Sequence, residues 1–150
     1  MKFMDFKKIK YTKNGGLELK YYTYTDMGEG VVSKTEVSTK CKDEPHPDLI
    51  NALQALKPIV EYDEGYKKGT VITVTGISLF GDADTVIITH TKEKKSGTTV
   101  TNSGRISRES EDFGKTEQLF SLVTNVIVEA EEYVSNQKRA QLDMFNEAAA

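Results

Sequence analysis

Five residues near the end of the chain, Gln141-Leu142-Asp143-Met144-Phe145, combine an amide, an acid and a closing apolar pair. Met144 and Phe145 suit a greasy pocket, and Leu142 can add a contact beside them. The Gln141 amide both donates and accepts hydrogen bonds, so it fits a polar subsite next to that pocket. Asp143 would face solvent and suit a basic rim. This is the chemistry of docking rather than of bond making. The segment follows the last helical pattern, and the only apolar residues around it are alanines. The alternative is that the same three large side chains fold back and close the core.

Catalytic chemistry has little support elsewhere. His46 and His90 are the only histidines, and neither has a second ligand at a familiar metal-site spacing. His46 is held stiffly between Pro45 and Pro47 and fits a helix start. Asp82 and Asp84 stand two apart in a turn, as in some metal-dependent nucleases and, more commonly, in solvated loops. Cys41 sits between Lys40 and Lys42, which favour its thiolate, but no helix start or glycine-rich turn frames it. Gly76 and Gly81 do not form a phosphate-cradling loop. No cofactor or metal is expected. Lys7, Lys8, Lys10, Lys13 and Lys20 interleave with Tyr11, Tyr22 and Tyr24. Aromatic faces stack on unpaired bases and lysines neutralise phosphates, so this set could grip single-stranded nucleic acid. The same set also describes a hairpin whose tyrosines pack and whose lysines guard an edge.

These residues must be positioned by elements that the pattern predicts in turn. Phe3–Lys13 leads into the turn signal Asn14-Gly15-Gly16, and Leu17–Thr25 follows with Leu17, Leu19 and Tyr21 on one face. Glu18, Lys20, Tyr22 and Tyr24 take the other face. Asp26–Gly30 turns into a third strand over Val31–Lys42, with Val37 and Thr39 inward. Asp48 is the expected N-cap of a helix carrying Leu49, Leu53, Leu56 and Val60, limited or kinked near its end by Pro58. Glu61–Gly69 is expected as a charged loop. Strands follow at Thr70–Phe80, at Thr85–Thr91, which is β-branched enough to lie centrally, and at Thr98–Ile106. The last helix has a stripe from Leu119 through Val123, Val126 and Ala130 to Val134. The expected fold is α+β, in the order β-β-β-α-β-β-β-α, mostly antiparallel, with helices packed on one face. Residues 1–136 form the predicted domain and 137–150 a flexible C-terminal tail. No sequence repeat links the two halves.

Composition sets the surroundings. A chain of 150 residues can bury a core without staples, and its single cysteine suits a reducing compartment. The opening residues lack a signal-peptide core, and no run approaches a membrane span, so a cytosolic setting is expected. The net charge of −3 is unevenly spread. Residues 1–42 carry nine lysines against five acids, whereas residues 109–150 carry three bases against nine acids. A basic front and an acidic back suit contact with a polyanion through one surface.

The pentapeptide resembles the peptide by which polymerases and mismatch-repair proteins dock on the bacterial sliding clamp. In that peptide a glutamine and a small or aliphatic residue precede an aliphatic–phenylalanine pair. The resemblance implies the sliding clamp as partner, with Gln141 to Phe145 as its contacts. Five stretches are similar to a group of small phage and prophage proteins found among replication and recombination functions. They are Pro45–Leu49 with Ala52–Pro58, then Val74–Ile77, Glu129–Tyr133 and Lys138–Leu142. That likeness implies a phage setting and no particular activity. The expectation is therefore a non-enzymatic accessory protein that acts in, or interferes with, replication or recombination. A single-stranded nucleic-acid module and a small nuclease on Asp82 and Asp84 are the alternatives.

Overall fold

The computed structural model describes residues 3–12, 15–67, 69–80, 85–94, 96–107, 113–136 and 138, with the backbone alone at 3, 63, 107 and 113–117. Its elements are β1 (Phe3–Tyr11), β2 (Leu17–Gly28), β3 (Val31–Cys41), α1 (Pro47–Gln54), α2 (Lys57–Glu64), β4 (Ile72–Phe80), β5 (Thr85–Glu93), β6 (Thr99–Ser107) and α3 (Phe113–Ser135). The strands form one antiparallel sheet in the order β3-β2-β1-β4-β5-β6. The fold is α+β, as the pattern predicts. No helix among the described residues is long and apolar enough to cross a membrane.

Strand alternation assigns the faces. Phe6, Ile9, Leu19, Val74, Ile77 and Ile88 are buried on one side of the sheet. Against them pack Leu49 and Leu53 of α1, Ile59 and Val60 of α2, and Leu119, Val123 and Val126 of α3. Each fully buried aliphatic side chain contributes roughly 1.5–3 kcal/mol. That gain holds the helices to one face and leaves the other to the polar residues of each strand.

The two β-meanders meet at the centre of the sheet, where Ile9 opposes Ile77 between the pairs Lys8–Ser78 and Lys10–Gly76. The pairing reads the same in both directions about Ile9 and Ile77, which marks a local two-fold axis. The symmetry extends outward. A bulge at Lys7 interrupts the β1–β2 ladder, and a bulge at Thr75, equally two residues before the axis, interrupts β4–β5. An extra residue in a strand shifts its alternation by one. The inward residues are accordingly Met4, Phe6, Ile9 and Tyr11 in β1, and Ile72, Val74, Ile77 and Leu79 in β4, with identical irregular spacing. The molecule is thus two halves, β1-β2-β3-α1-α2 and β4-β5-β6-α3, whose strands repeat one plan in a single sheet, a duplication that residue identities do not display. Thr85–Thr91 lies in β5, an interior strand, while the central pair is β1 and β4. Gly76 stands where the halves touch. A Cβ there would lie 2.7 Å from the Ile9 carbonyl oxygen and 3.0 Å from Lys10 Cα, so only glycine fits.

Two helix expectations need correction. Pro58 does not end a helix; it opens α2, in its first turn, where a missing N–H costs nothing. The single expected helix is therefore two, broken at Ala55-Leu56, and the second runs to Glu64 through part of the expected loop. The cap of α1 is His46, not Asp48: the His46 Nδ1 accepts from the Asp48 backbone N–H at 3.1 Å. Asp48 lies inside the first turn.

Candidate functional site

The Gln141–Phe145 peptide, Leu142, Asp143 and Met144 included, lies outside the described residues, as do Asp82 and Asp84. The chain leading to the peptide is placed. After α3 the Asn136 and Lys138 N–H groups both donate to the Glu132 carbonyl, at 3.0 and 3.1 Å. The Lys138 ammonium then pairs with Asp48 of α1 at 2.9 Å and with Glu129 of α3 at 3.1 Å. The hydrogen bond to Asp48, then that to Glu129, holds the Lys138 pKa above the ordinary lysine value. The same bond holds the Asp48 carboxyl below its own. The root of the tail is thereby pinned between two helices, and Tyr133 beside it donates to the Asp43 carbonyl at 2.7 Å.

The open face of the sheet carries the predicted nucleic-acid set. Lys8 and Lys10 of β1 and Lys20, Tyr22 and Tyr24 of β2 share that face, and Lys7 occupies the bulge. Cross-strand register brings Lys10, Glu18 and Lys40 into one row across β1, β2 and β3. Lys8 also reaches Glu18, at 2.9 Å. That hydrogen bond, with Lys40 and Lys10 adding at longer range, lowers the Glu18 pKa against the opposing effect of its burial. One carboxylate thus serves three lysines. The rest of the face is less favourable to phosphate. Lys20 pairs with Glu36 at 3.1 Å and Lys7 with Asp5 at 3.1 Å. Tyr22 is flanked in register by Asp5 and Glu36, and the Lys34 ammonium covers its ring at 4.1 Å. A base stacking on Tyr22 would have to displace Lys34. Across β4, β5 and β6 the same face is mostly uncharged hydroxyls, with Thr89 and Ser103 bonded at 3.2 Å.

The helix side holds two equivalent places that sequence reading did not single out. In the second half, His90 is fully buried, and its Nε2 meets the Tyr66 hydroxyl at 2.8 Å. Asn102 donates to that hydroxyl at 3.5 Å, and the Lys92 ammonium lies 4.6 Å from the Tyr66 ring centre. The His90 Nδ1 has no hydrogen-bond partner among the described residues. Burial, more than the neighbouring Glu64 and Lys92 charges, sets its pKa, which is lowered. The group is a buried core histidine whose charged form burial disfavours. In the first half the matching residues are Tyr21, opposite Phe6 as His90 is opposite Val74, and Val37, its partner on β3. Between them and the end of α3 runs a groove of about 980 Å³. Met4, Tyr21, Val37 and Val134 give it apolar walls, and Thr35 and Asn136 stand at its rim. The signal for both places was the shared 2-3-2 apolar spacing of β1 and β4, which aligns the halves where residue identity does not.

No three histidine, cysteine, aspartate or glutamate side chains converge as a metal site among the described residues. Comparison of the chain with protein-family models, with curated proteins and with solved structures finds no match.

Proposed function

We propose that this protein is a phage-derived accessory factor that docks on the bacterial sliding clamp through Gln141–Phe145. The observation that carries the reading is the peptide itself: an amide and an apolar–aromatic pair, ending twelve residues past Tyr133, the last fully buried residue of α3. The core contacts of α3 already supply an apolar stripe from Leu119 to Tyr133 before that point. Short segments that order on binding reach affinities near 1 μM, about −8 kcal/mol. The full chain should bind immobilised bacterial sliding clamp on that scale. The Met144→Ala/Phe145→Ala variant should lose most of the affinity, because buried apolar anchors dominate such contacts. Equal binding by both proteins removes the assignment.

One observation favours a second activity for the folded part. The open face of the first half carries an excess of lysine, with Tyr22 and Tyr24 among it, while Glu129, Glu131 and Glu132 lie on α3 across the sheet. This partition suits weak binding of single-stranded nucleic acid, which a clamp tether would make effective by raising local concentration. Binding to an unstructured oligonucleotide should fall steeply with salt, since each neutralised phosphate releases counterions. Lys10→Ala with Lys40→Ala should flatten that dependence. Binding that is absent at low salt leaves the tether alone.

A further inference from the structure

We infer that the groove between α3 and the β2–β3 hairpin is the resting dock of the chain's own C-terminal segment, with Met144 and Phe145 seated against Met4, Tyr21 and Val37. The argument comes from the local two-fold. In the second half the corresponding space is closed by Tyr66, an aromatic carried on the chain as it leaves a helix. The end of α2 is a left-handed Gly65, whose turn delivers Tyr66 onto His90 and Asn102. In the first half, the helix that ends beside the matching space is α3, and Ser135 and Asn136 themselves line the groove. No described residue fills it. The chain leaving α3 is therefore the candidate to do there what Tyr66 does in the second half.

The chemistry of floor and plug agrees in both places. His90 and Asn102 are polar, and the plug above them carries a hydroxyl that bonds to each. Tyr21 and Val37 stand at the equivalent positions, and with Met4 and Val134 they offer apolar surface that suits a plug without a hydroxyl. Met144 and Phe145 are such residues, and they are the large apolar side chains nearest the end of the chain. Lys138 is tied to Asp48 and Glu129, and the six residues from there to Met144 span up to roughly 20 Å when extended. The docked segment hides the same two side chains that the proposed clamp contact needs. Docking and clamp binding are then alternatives, and this competition, unlike the docking itself, rests on the clamp reading.

The test uses methyl-labelled full-length protein in solution. Nuclear Overhauser effects from the Phe145 ring to the Met4 and Val37 methyls are expected. Phe145→Ala should shift those methyls and leave those of Leu49 and Leu53, under α1, in place. Thr35→Arg, at an exposed rim position, should abolish the Overhauser effects without unfolding the protein. It should also tighten clamp binding about three- to tenfold, the gain for a tail docked about 70–90 % of the time. Absence of the Overhauser effects, with methyls indifferent to Phe145→Ala, overturns the docking. Effects that grow with protein concentration overturn it too, since the occupant would be the tail of a second copy. Intramolecular effects with no clamp binding by any variant uphold the dock and discard the competition. If Thr35→Arg releases the ring yet leaves clamp affinity unchanged, the dock likewise stands and only the competition is discarded.

Discussion

Tyr66 lies over His90 and seals the space between α2 and the second meander, whereas Tyr21 and Val37 floor a groove at the matching place in the first. The outer faces differ as well: lysines, acids and tyrosines on the first half, threonines and serines on the second. Both halves share strand order, bulge position and apolar spacing. Backbone plan is therefore set by the spacing of apolar residues, while the identity of a few side chains decides what each half leaves available. The second half is the more closed, and the first keeps a groove, a charged face and a long hairpin.

If that equivalence is right, the axis should cost the same from either side. Ile9→Ala and Ile77→Ala each delete a buried aliphatic side chain and should each lose about 2–5 kcal/mol in denaturant unfolding. A loss of under about 1 kcal/mol at either one would break the comparison. Gly76→Ala comes next, because its new Cβ meets backbone of β1; overpacking of this kind costs about 1–3 kcal/mol. Lys8, its symmetric counterpart, is partly exposed, and Lys8→Ala should stay within about 1 kcal/mol.

The pH response should separate the halves in opposite directions. Folded His90 has its pKa below the ordinary histidine value of 6.5, so the unfolded chain binds more protons beneath that value. Its contribution is complete above pH 6.5 and is lost as pH falls below it. Tyr21 has its pKa raised above 10, chiefly by burial, so its contribution is complete below pH 10 and is lost as pH rises beyond. His90→Leu should flatten the acid limb of a stability–pH curve, and Tyr21→Phe the alkaline limb. An acid limb unchanged in His90→Leu would refute the first assignment. The smallest effect belongs to the hairpin tip. Val31 and Val32 are exposed, at 58 % and 57 %, so changing either to serine should move stability by no more than about 0.5 kcal/mol.

Much of this was legible in the chain. Strict alternation placed Leu17, Leu19 and Tyr21 inward, and the 3.6-residue stripe located α3 through Val134. The element order followed from turn residues between such runs. The helix break at Ala55-Leu56 was not legible in full, because Pro58 is compatible with ending one helix or opening another. The sequence places His46 at the helix entry, but the cap itself falls to Asp48 in that reading because aspartate is the commoner N-cap; that the His46 ring accepts from the Asp48 N–H shows only in the structure. The β1–β4 seam escaped for a different reason. Pairing between distant strands leaves no local period, and the bulges at Lys7 and Thr75 disguise the alternation that would have shown β1 and β4 to be copies of one design. Of the candidate residues, Lys8, Lys10, Lys20, Tyr22 and Tyr24 do share one face, but the acids interleaved with them could be paired to particular lysines only once the register was known.

The seam at Ile9 and Ile77 also has a kinetic meaning. Hairpins β1–β2 and β2–β3 close over short turns, and so do β4–β5 and β5–β6, so each meander can form early and alone. Joining them requires closing a loop from residue 9 to residue 77, and only three registered pairs reward that closure. Until it happens, β1 and β4 each present an unpaired edge of nine residues. At high concentration β1 of one molecule could take up β4 of another with the native register intact, so a domain-swapped dimer is the misassembly to expect on refolding at high concentration.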